Sequence, residues 1–315
     1  MPKPPLVIVA GPTASGKSSL ALDAAVEFGG TVINADSMQV YRELRVLTAR
    51  PSPQAEARAP HKLFGILSAS ERCSAGRWLT LAIPEIEAAW KAGSLPIVVG
   101  GTGLYLKALL EGLSPVPTIP EAIRSEAREL LARLGGDGMR AELASLDPET
   151  AARLPAADSQ RLTRAYEVVR ATGKSLSRWQ ADEKPRPPLQ AETLTLALLP
   201  PRDDLYADID ARLERMLEEG GLEEVAAVRA LGLDPALPAA RAVGLREFGR
   251  HLDGEIDREA ALHAAQQSSR NYAKRQFTWL RKQIAISEAL SEKYSERVKP
   301  IIFSFIRKLL LTAQY

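Results

Sequence analysis

An apolar run, Leu6-Val7-Ile8-Val9-Ala10, empties into Gly11-Pro12-Thr13-Ala14-Ser15-Gly16-Lys17-Ser18, and no other stretch limits the fold so tightly. A short strand, then Gly-x4-Gly-Lys-Ser, then a helix is the local setting of a phosphate-binding loop. The glycines let the backbone curl so that several N–H groups point at one anion. The helix beginning near Lys17 directs its positive end at the same spot. Lys17 adds a mobile cation, and the hydroxyl of Ser18 is placed to reach Mg²⁺. A Gly-rich turn beside a solvent lysine could share these letters, but not the strand before them. The chain is expected to handle a di- or triphosphate.

The surrounding sequence says what kind of sheet carries the loop. Strands are expected at residues 6–10, 32–35 and 96–99, and helices at 82–92 and 104–110. Such alternation implies a parallel sheet that binds ligands beyond the carboxyl ends of its strands. Three of those ends, residues 11–18, 36–41 and 100–102, are expected to converge on one cleft. The texture changes at residues 114–120 (SPVPTIP). Beyond them Ile123, Ala127, Leu130, Leu131 and Leu134 repeat at helical spacing. Gly135-Gly136 should end that helix. Asp158 should cap the next, at 161–171, which Gly173 closes. Residues 182–189 are charged and proline-rich, a linker, and 193–199 (TLTLALL) returns to strand. The expected class is α/β: a P-loop-containing parallel-sheet core of residues 1–117 and 192–315, a mostly helical insertion domain at 118–191, and a helical C-terminal part. Its helices are expected at 205–219, 222–231 and 258–290. Residues 301–311, broken by Arg307 and Lys308, read as a docked terminal helix rather than a membrane anchor.

The single cysteine, Cys73, excludes an internal disulfide and a Cys-based zinc cluster, and fits a reducing compartment. The N-terminus enters the first strand at once, with no room for a signal peptide. No stretch is long enough to span a bilayer. A cytoplasmic monomer without a membrane partner is the expectation. The net charge of +2 says little, but its distribution says more: residues 270–282 (RNYAKRQFTWLRK) hold five Lys or Arg and no acid. Basic charge holds a phosphate backbone, while Tyr272, Phe277 and Trp279 either cover apolar surface or stack on bases. Arg161 and Arg164 lie three apart and, with Arg170, Lys174 and Arg178, make a basic side on the insertion. It is either a solvated face or an arm that closes on a polyanion.

Asp36 follows the second strand, where a carboxylate can hold metal-bound water, accept a substrate proton, or simply cap the next turn. Gln39 carries an amide that matches the adenine edge, though a surface glutamine reads the same. Thr102 sits in a glycine-flanked turn after a strand, its hydroxyl suited to phosphate or metal. Arg212 lies on an amphipathic helix, where most arginines are solvated. Three histidines are too few for a His-rich metal site, so Mg²⁺ with oxygen ligands is the expected cofactor. These motifs alone also fit a P-loop small-molecule kinase with the insertion as its lid, or a nucleotide-gated RNA-binding protein in which Asp36 and Thr102 are idle.

A series of stretches then narrows the reading: GPTASGKSSLA (11–21), NADSMQVYREL (34–44), TARP (48–51), APHKL (59–63), VGGTGLYLKALLEGL (99–113), DSQRLTRAYEV (158–168), VGLREF (243–248) and YAKRQFTWLR (272–281). In this order they resemble the tRNA dimethylallyltransferase (isopentenyl-tRNA transferase) family, over nearly all of the chain up to Arg281. The resemblance implies transfer of a dimethylallyl group from dimethylallyl diphosphate to N6 of adenosine 37 in the anticodon stem-loop of a tRNA, with Mg²⁺ and release of diphosphate. It implies that Gly11, Thr13, Ala14, Ser15, Gly16, Lys17, Ser18 and Ser19 hold the diphosphate. Asp36 would be the general base. Thr102 and Arg212, with Lys17, would support the diphosphate, and Ser18 and Thr102 the metal. Ser37, Met38, Gln39, Pro60 and His61 would line the adenine side. Asp158, Gln160, Arg161, Arg164, Arg246, Lys274, Arg275, Gln276, Trp279 and Arg281 would face the tRNA. The chain departs from the family pattern at Leu47 (usually Gly), Arg50 (Lys), Cys73 (Tyr), Trp78 (Phe) and Asp208 (Arg, one turn before Arg212).

Overall fold

The first strand, β1 (Pro5–Ala10), is buried along its whole length, which is why it reads as a continuous apolar run. It lies inside a sheet of six parallel strands ordered β3-β2-β4-β1-β5-β6, in the computed structural model that describes residues 3–182 and 185–313. The other strands are β2 (Gly30–Asn34), β3 (His61–Lys62), β4 (Leu95–Gly100), β5 (Glu192–Leu198) and β6 (Glu288–Leu290). Helices α1 (Lys17–Phe28), α2 (Pro53–Arg58), α3 (Ala75–Lys91) and α4 (Gly103–Glu111) connect the first strands. After β5 come α9 (Arg202–Glu218), α10 (Gly221–Ala230), α11 (Leu245–Leu252), α12 (Arg258–Gln283) and, beyond β6, α13 (Lys299–Thr312); α5 to α8 belong to the insertion.

Alternation along β1 divides the core. Leu6, Ile8 and Ala10 face one layer with Trp78, Tyr105, Phe248 and Leu280, while Val7 and Val9 face the other with Leu20, Ile302, Phe303 and Ile306. The terminal helix α13 therefore docks on the sheet. Among the described residues no helix is long and apolar enough to cross a membrane.

By its contacts the chain divides into Met1–Leu110 with Pro188–Tyr315, and Glu111–Pro187. Both seams fall a few residues before those expected. Gly112, at φ +86, rests its backbone against the carbonyl of Arg186, so the two connecting stretches side by side count with the insertion. Of the linker read at 182–189, residues 183 and 184 lie outside the described residues. The insertion contains α5 (Glu121–Leu146), α6 (Pro148–Arg153), α7 (Ser159–Thr172) and α8 (Leu176–Asp182) around its own core of Ala127, Met139, Leu143, Leu162 and Ala165. Asp158 caps α7 through the Arg161 N–H, and left-handed Gly173 closes it.

Two expectations need correction. Gly135 breaks the helical path (φ 67, ψ −171), but the chain resumes helix at once and runs on to Leu146. The helix read over 258–290 stops at Gln283. Ile284 is extended and buried, Ser287 N–H donates to Thr195 C=O, and residues 288–290 pair with β5. An open sheet edge offers that backbone ladder bonds in place of helical ones.

Candidate active site

The loop after β1 takes two left-handed steps, at Ala14 (φ 64) and Gly16 (φ 85). These turn its N–H groups inward, as an anion cradle requires. A Cβ on Gly11 would collide with the Ser15 hydroxyl and stand 3.1 Å from the Leu198 carbonyl, so any side chain there would force Ser15 to move. Ser15 is fully buried and its Oγ has no hydrogen-bond partner among the described residues. Gly16 caps α1 without a side chain, leaving the first-turn N–H groups available to a ligand. Ser18 and Ser19 are exposed on that turn, and Lys17 Nζ donates to the Pro12 carbonyl at 3.2 Å.

The tips of β2 and β4 are pressed together. Ala35 N–H donates to Val99 C=O at 2.7 Å, and a side chain at Gly100 would overlap the Ala35 carbonyl. Just beyond, Ser37 N–H donates to Thr102 Oγ1 (2.9 Å), and the Thr102 hydroxyl donates to Ser37 Oγ (3.2 Å). The buried Asn34 amide accepts from Asp36 N–H and donates to Asp36 C=O. One Asp36 carboxylate oxygen accepts from Met38 N–H at 2.9 Å, so the residue both shapes its turn and presents its charge.

Electrostatics tie two strand ends and α9 into one site. Burial lowers the pKa of Lys17 to about 8; Asp36 opposes the shift and Arg212 adds to it. Burial likewise lowers Arg212, and again Asp36 opposes. Lys17, Asp36 and Arg212 are thus near enough to sense one another, with Thr102 hydrogen-bonded beside Asp36.

Helix α12 closes this site with two residues whose role the sequence did not disclose. Tyr272, its pKa raised by burial and by Asp36, lies against the side chains of Thr102 and Gln276. Gln276, expected to face RNA, is instead buried: its carbonyl accepts from Thr13 N–H (2.9 Å) and its NH₂ donates to Gly101 C=O (3.0 Å). It links the phosphate loop to the turn after β4. Trp279 packs on Gly103 and the core. The Gln39 NH₂, expected to read a base, donates to the carbonyls of Thr48 and Ala49. His61 Nδ1 is engaged with Ala59 C=O beside exposed Pro60. Lys274, Arg275 and Arg281 are exposed on α12, with Arg281 and Arg202 both over Phe277, and Arg246 is exposed on α11. Within the insertion, Arg161 pairs with Asp158 and Arg164 with Glu167, while Gln160 is exposed. There Arg153, Arg161, Arg164 and Gln180 line a cavity of about 450 Å³.

The departures from the family pattern have local accommodations. Leu47 is buried against Gly244, and Arg50 donates to the carbonyls of Tyr41 and Arg42. Trp78 stacks on Tyr105 (4.8 Å) and its indole N–H donates to Asn34 C=O at 2.7 Å. Asp208 pairs with Lys293.

A parallel sheet with an anion cradle at the tip of β1 and a carboxylate at the tip of β2, one strand removed, defines a P-loop enzyme of the α/β class. The family model described as IPP transferase matches residues 39–283, and that described as isopentenyl transferase matches residues 4–63. The chain is 57% identical over 281 residues to the tRNA dimethylallyltransferase of Rhodospirillum centenum, covering 89% of this chain and 90% of that protein. It is 53% identical to that of Paramagnetospirillum magneticum, covering 98% of each. The crystal structure of the tRNA isopentenylpyrophosphate transferase of Bacillus halodurans superposes with a TM-score of 0.70 at 30% identity, covering 98% of this chain and 97% of that one. A eukaryotic dimethylallyltransferase acting on tRNA gives 0.79 at 27% identity, covering 97% and 80%. The chain belongs to the tRNA dimethylallyltransferase family.

Proposed function

We propose that this protein transfers a dimethylallyl group from dimethylallyl diphosphate to N6 of adenosine 37 in tRNA, releasing diphosphate. The observation that carries the reading is the phosphate loop at the open N-terminus of α1, with Asp36 and Arg212 near enough to Lys17 to act on its charge. Two cations and a helix end suit an anionic leaving group, and the carboxylate beside them suits a nucleophile that must lose a proton.

Charge grows on the bridging oxygen as diphosphate departs. Lys17, Arg212 and the loop N–H groups stabilise it as it develops, in a site already desolvated. Adenine N6 is a poor nucleophile because its lone pair feeds the ring. As the C–N bond forms, N6 becomes acidic, and Asp36 takes the proton. Placement is then most of the problem. Ser37 and Thr102 hold the two strand tips in register, and Tyr272 shields them from water. Residues 37–39 and 60–61 form the adenine side. The exposed cations of α12 and of the insertion take the stem-loop backbone, with the base extruded from its stack into the core. Gln276, buried with both ends of its amide engaged, serves instead inside the core unit.

The residues present suit Mg²⁺. Among the described residues no three or more His, Cys, Asp or Glu gather to hold a metal. The oxygens at hand include the Ser18 and Thr102 hydroxyls, the donors of an ion that shares its shell with phosphates and water. When bound, Mg²⁺ supplies positive charge to the diphosphate.

The test is mass analysis of an anticodon stem-loop incubated with protein, Mg²⁺ and dimethylallyl diphosphate. A C5H8 unit on the adenine 3′ of the anticodon is expected. Consumption of labelled ATP with no change in the RNA would favour a kinase and overturn the reading.

A further inference from the structure

The segment between β6 and α13 falls beyond the matched family region, yet it lies against the phosphate loop. Tyr294 N–H faces the Ser15 carbonyl at 3.4 Å, and a Cβ built on Gly16 would stand 2.9 Å from Tyr294 Cβ. The Tyr294 hydroxyl donates to Asp23 of α1 at 2.8 Å, and Lys299 pairs with the same carboxylate. The preceding residue, Lys293, reaches the other way and pairs with Asp208 of α9. Asp208 lies one turn before Arg212, on the same side of the helix. Further on, Arg307 pairs with Glu27, and Phe303 packs edge-on to Phe28, both at the far end of α1.

Two neighbouring side chains therefore tie together the two helices that carry Lys17 and Arg212. We propose that residues 293–294 are a strap of the diphosphate site: Tyr294 and Lys293 are positioning residues that fix the left-handed step at Gly16 and the spacing of Lys17 from Arg212. The proposal rests on the diphosphate reading of the site. It assigns the strap no contact with tRNA. Half-buried Tyr294, with its backbone and Cβ against Gly16 and its hydroxyl on Asp23, limits the loop's alternative conformations, and the paired Lys293 holds α9 at a set distance. Binding and reaction of a small, highly charged anion both depend on that geometry, and a misplacement of roughly 1 Å can cost about 10²-fold in rate.

The experiment measures binding of inorganic diphosphate with Mg²⁺ by calorimetry, alongside KM for dimethylallyl diphosphate and for the stem-loop. The variants are Y294A, Y294F, K293M and the charge swap D208K/K293D. Y294A and K293M are expected to weaken diphosphate binding about tenfold and raise the KM for the prenyl donor in step, with the KM for RNA unchanged. Y294F, which keeps the ring but not its hydrogen bond to Asp23, should lose less, and the swap should recover most of what K293M loses. Equal changes in both KM values would reveal general destabilisation and overturn the proposal, as would diphosphate binding within twofold of wild type in K293M. Should Y294A fail to fold, K293M and the swap decide alone. If the wild-type protein binds no diphosphate, the reading of the site fails and the strap with it.

Discussion

Lys17 carries a pH signature of its own. Held at about 8 against an ordinary 10.5, it binds its proton less tightly in the folded chain than in the unfolded one. Unfolding then takes up protons between about 8 and 10.5, and stability rises with pH across that window. The penalty of the buried ammonium is present in full below pH 8 and gone near 10.5. Lys17→Met is therefore expected to stabilise the ligand-free protein at pH 7, with the gain shrinking toward pH 10. Urea unfolding at the two pH values measures it, and a gain independent of pH would show that Lys17 is not so buried. Asp36 has a kinetic signature. Asp36→Ala should leave tRNA affinity within a few-fold but slow single-turnover transfer by about 10² or more, the scale of a lost general base. A near-normal rate would remove Asp36 from that role.

Among the elements, α12 has two faces with two duties. Its inner face, through Gln276 and Tyr272, holds the phosphate loop and Thr102; its outer face carries Lys274 and Arg281. Lys274→Ala and Arg281→Ala should weaken tRNA binding and each lower the salt slope by about one unit, as for a phosphate contact. Filter binding at graded salt checks this. In α5, Gly135 occupies a conformation nearly reserved for glycine, so Gly135→Ala should destabilise the insertion by about 1–3 kcal/mol although no neighbour would clash. Hydrogen exchange in residues 121–146 would report the loosening.

The same elements show what was legible in the sequence. The loop at 11–18, Asp36 and Thr102 could be read because each follows a buried strand whose apolar run is a local signal. Gln276 and Tyr272 could not, because which face of α12 turns inward depends on docking against residues far off in sequence, 175 positions in the case of Gln276 and Gly101. β6 was illegible for another reason: Glu-Ala-Leu has no strand pattern of its own and becomes a strand only on the edge that β5 provides. The Asp208–Lys293 pair joins positions 85 apart and left no spacing to notice.

At the scale of the molecule, the buried clusters of the sheet unit and of the insertion share no residue. Each unit can therefore satisfy its own apolar surface. Replacing residues 113–185 with a short Gly/Ser linker should leave the sheet unit folded and able to bind diphosphate, while tRNA affinity falls sharply. Circular dichroism, calorimetry and filter binding test the three parts, and loss of folding would show that the sheet unit depends on the insertion. The touching backbones of Gly112 and Arg186 make such surgery feasible, and they imply something wider. A module that enters and leaves a host through adjoining residues behaves as a cassette: foreign helical hairpins with equally close ends could be grafted at this socket, redirecting the same chemistry toward other RNAs.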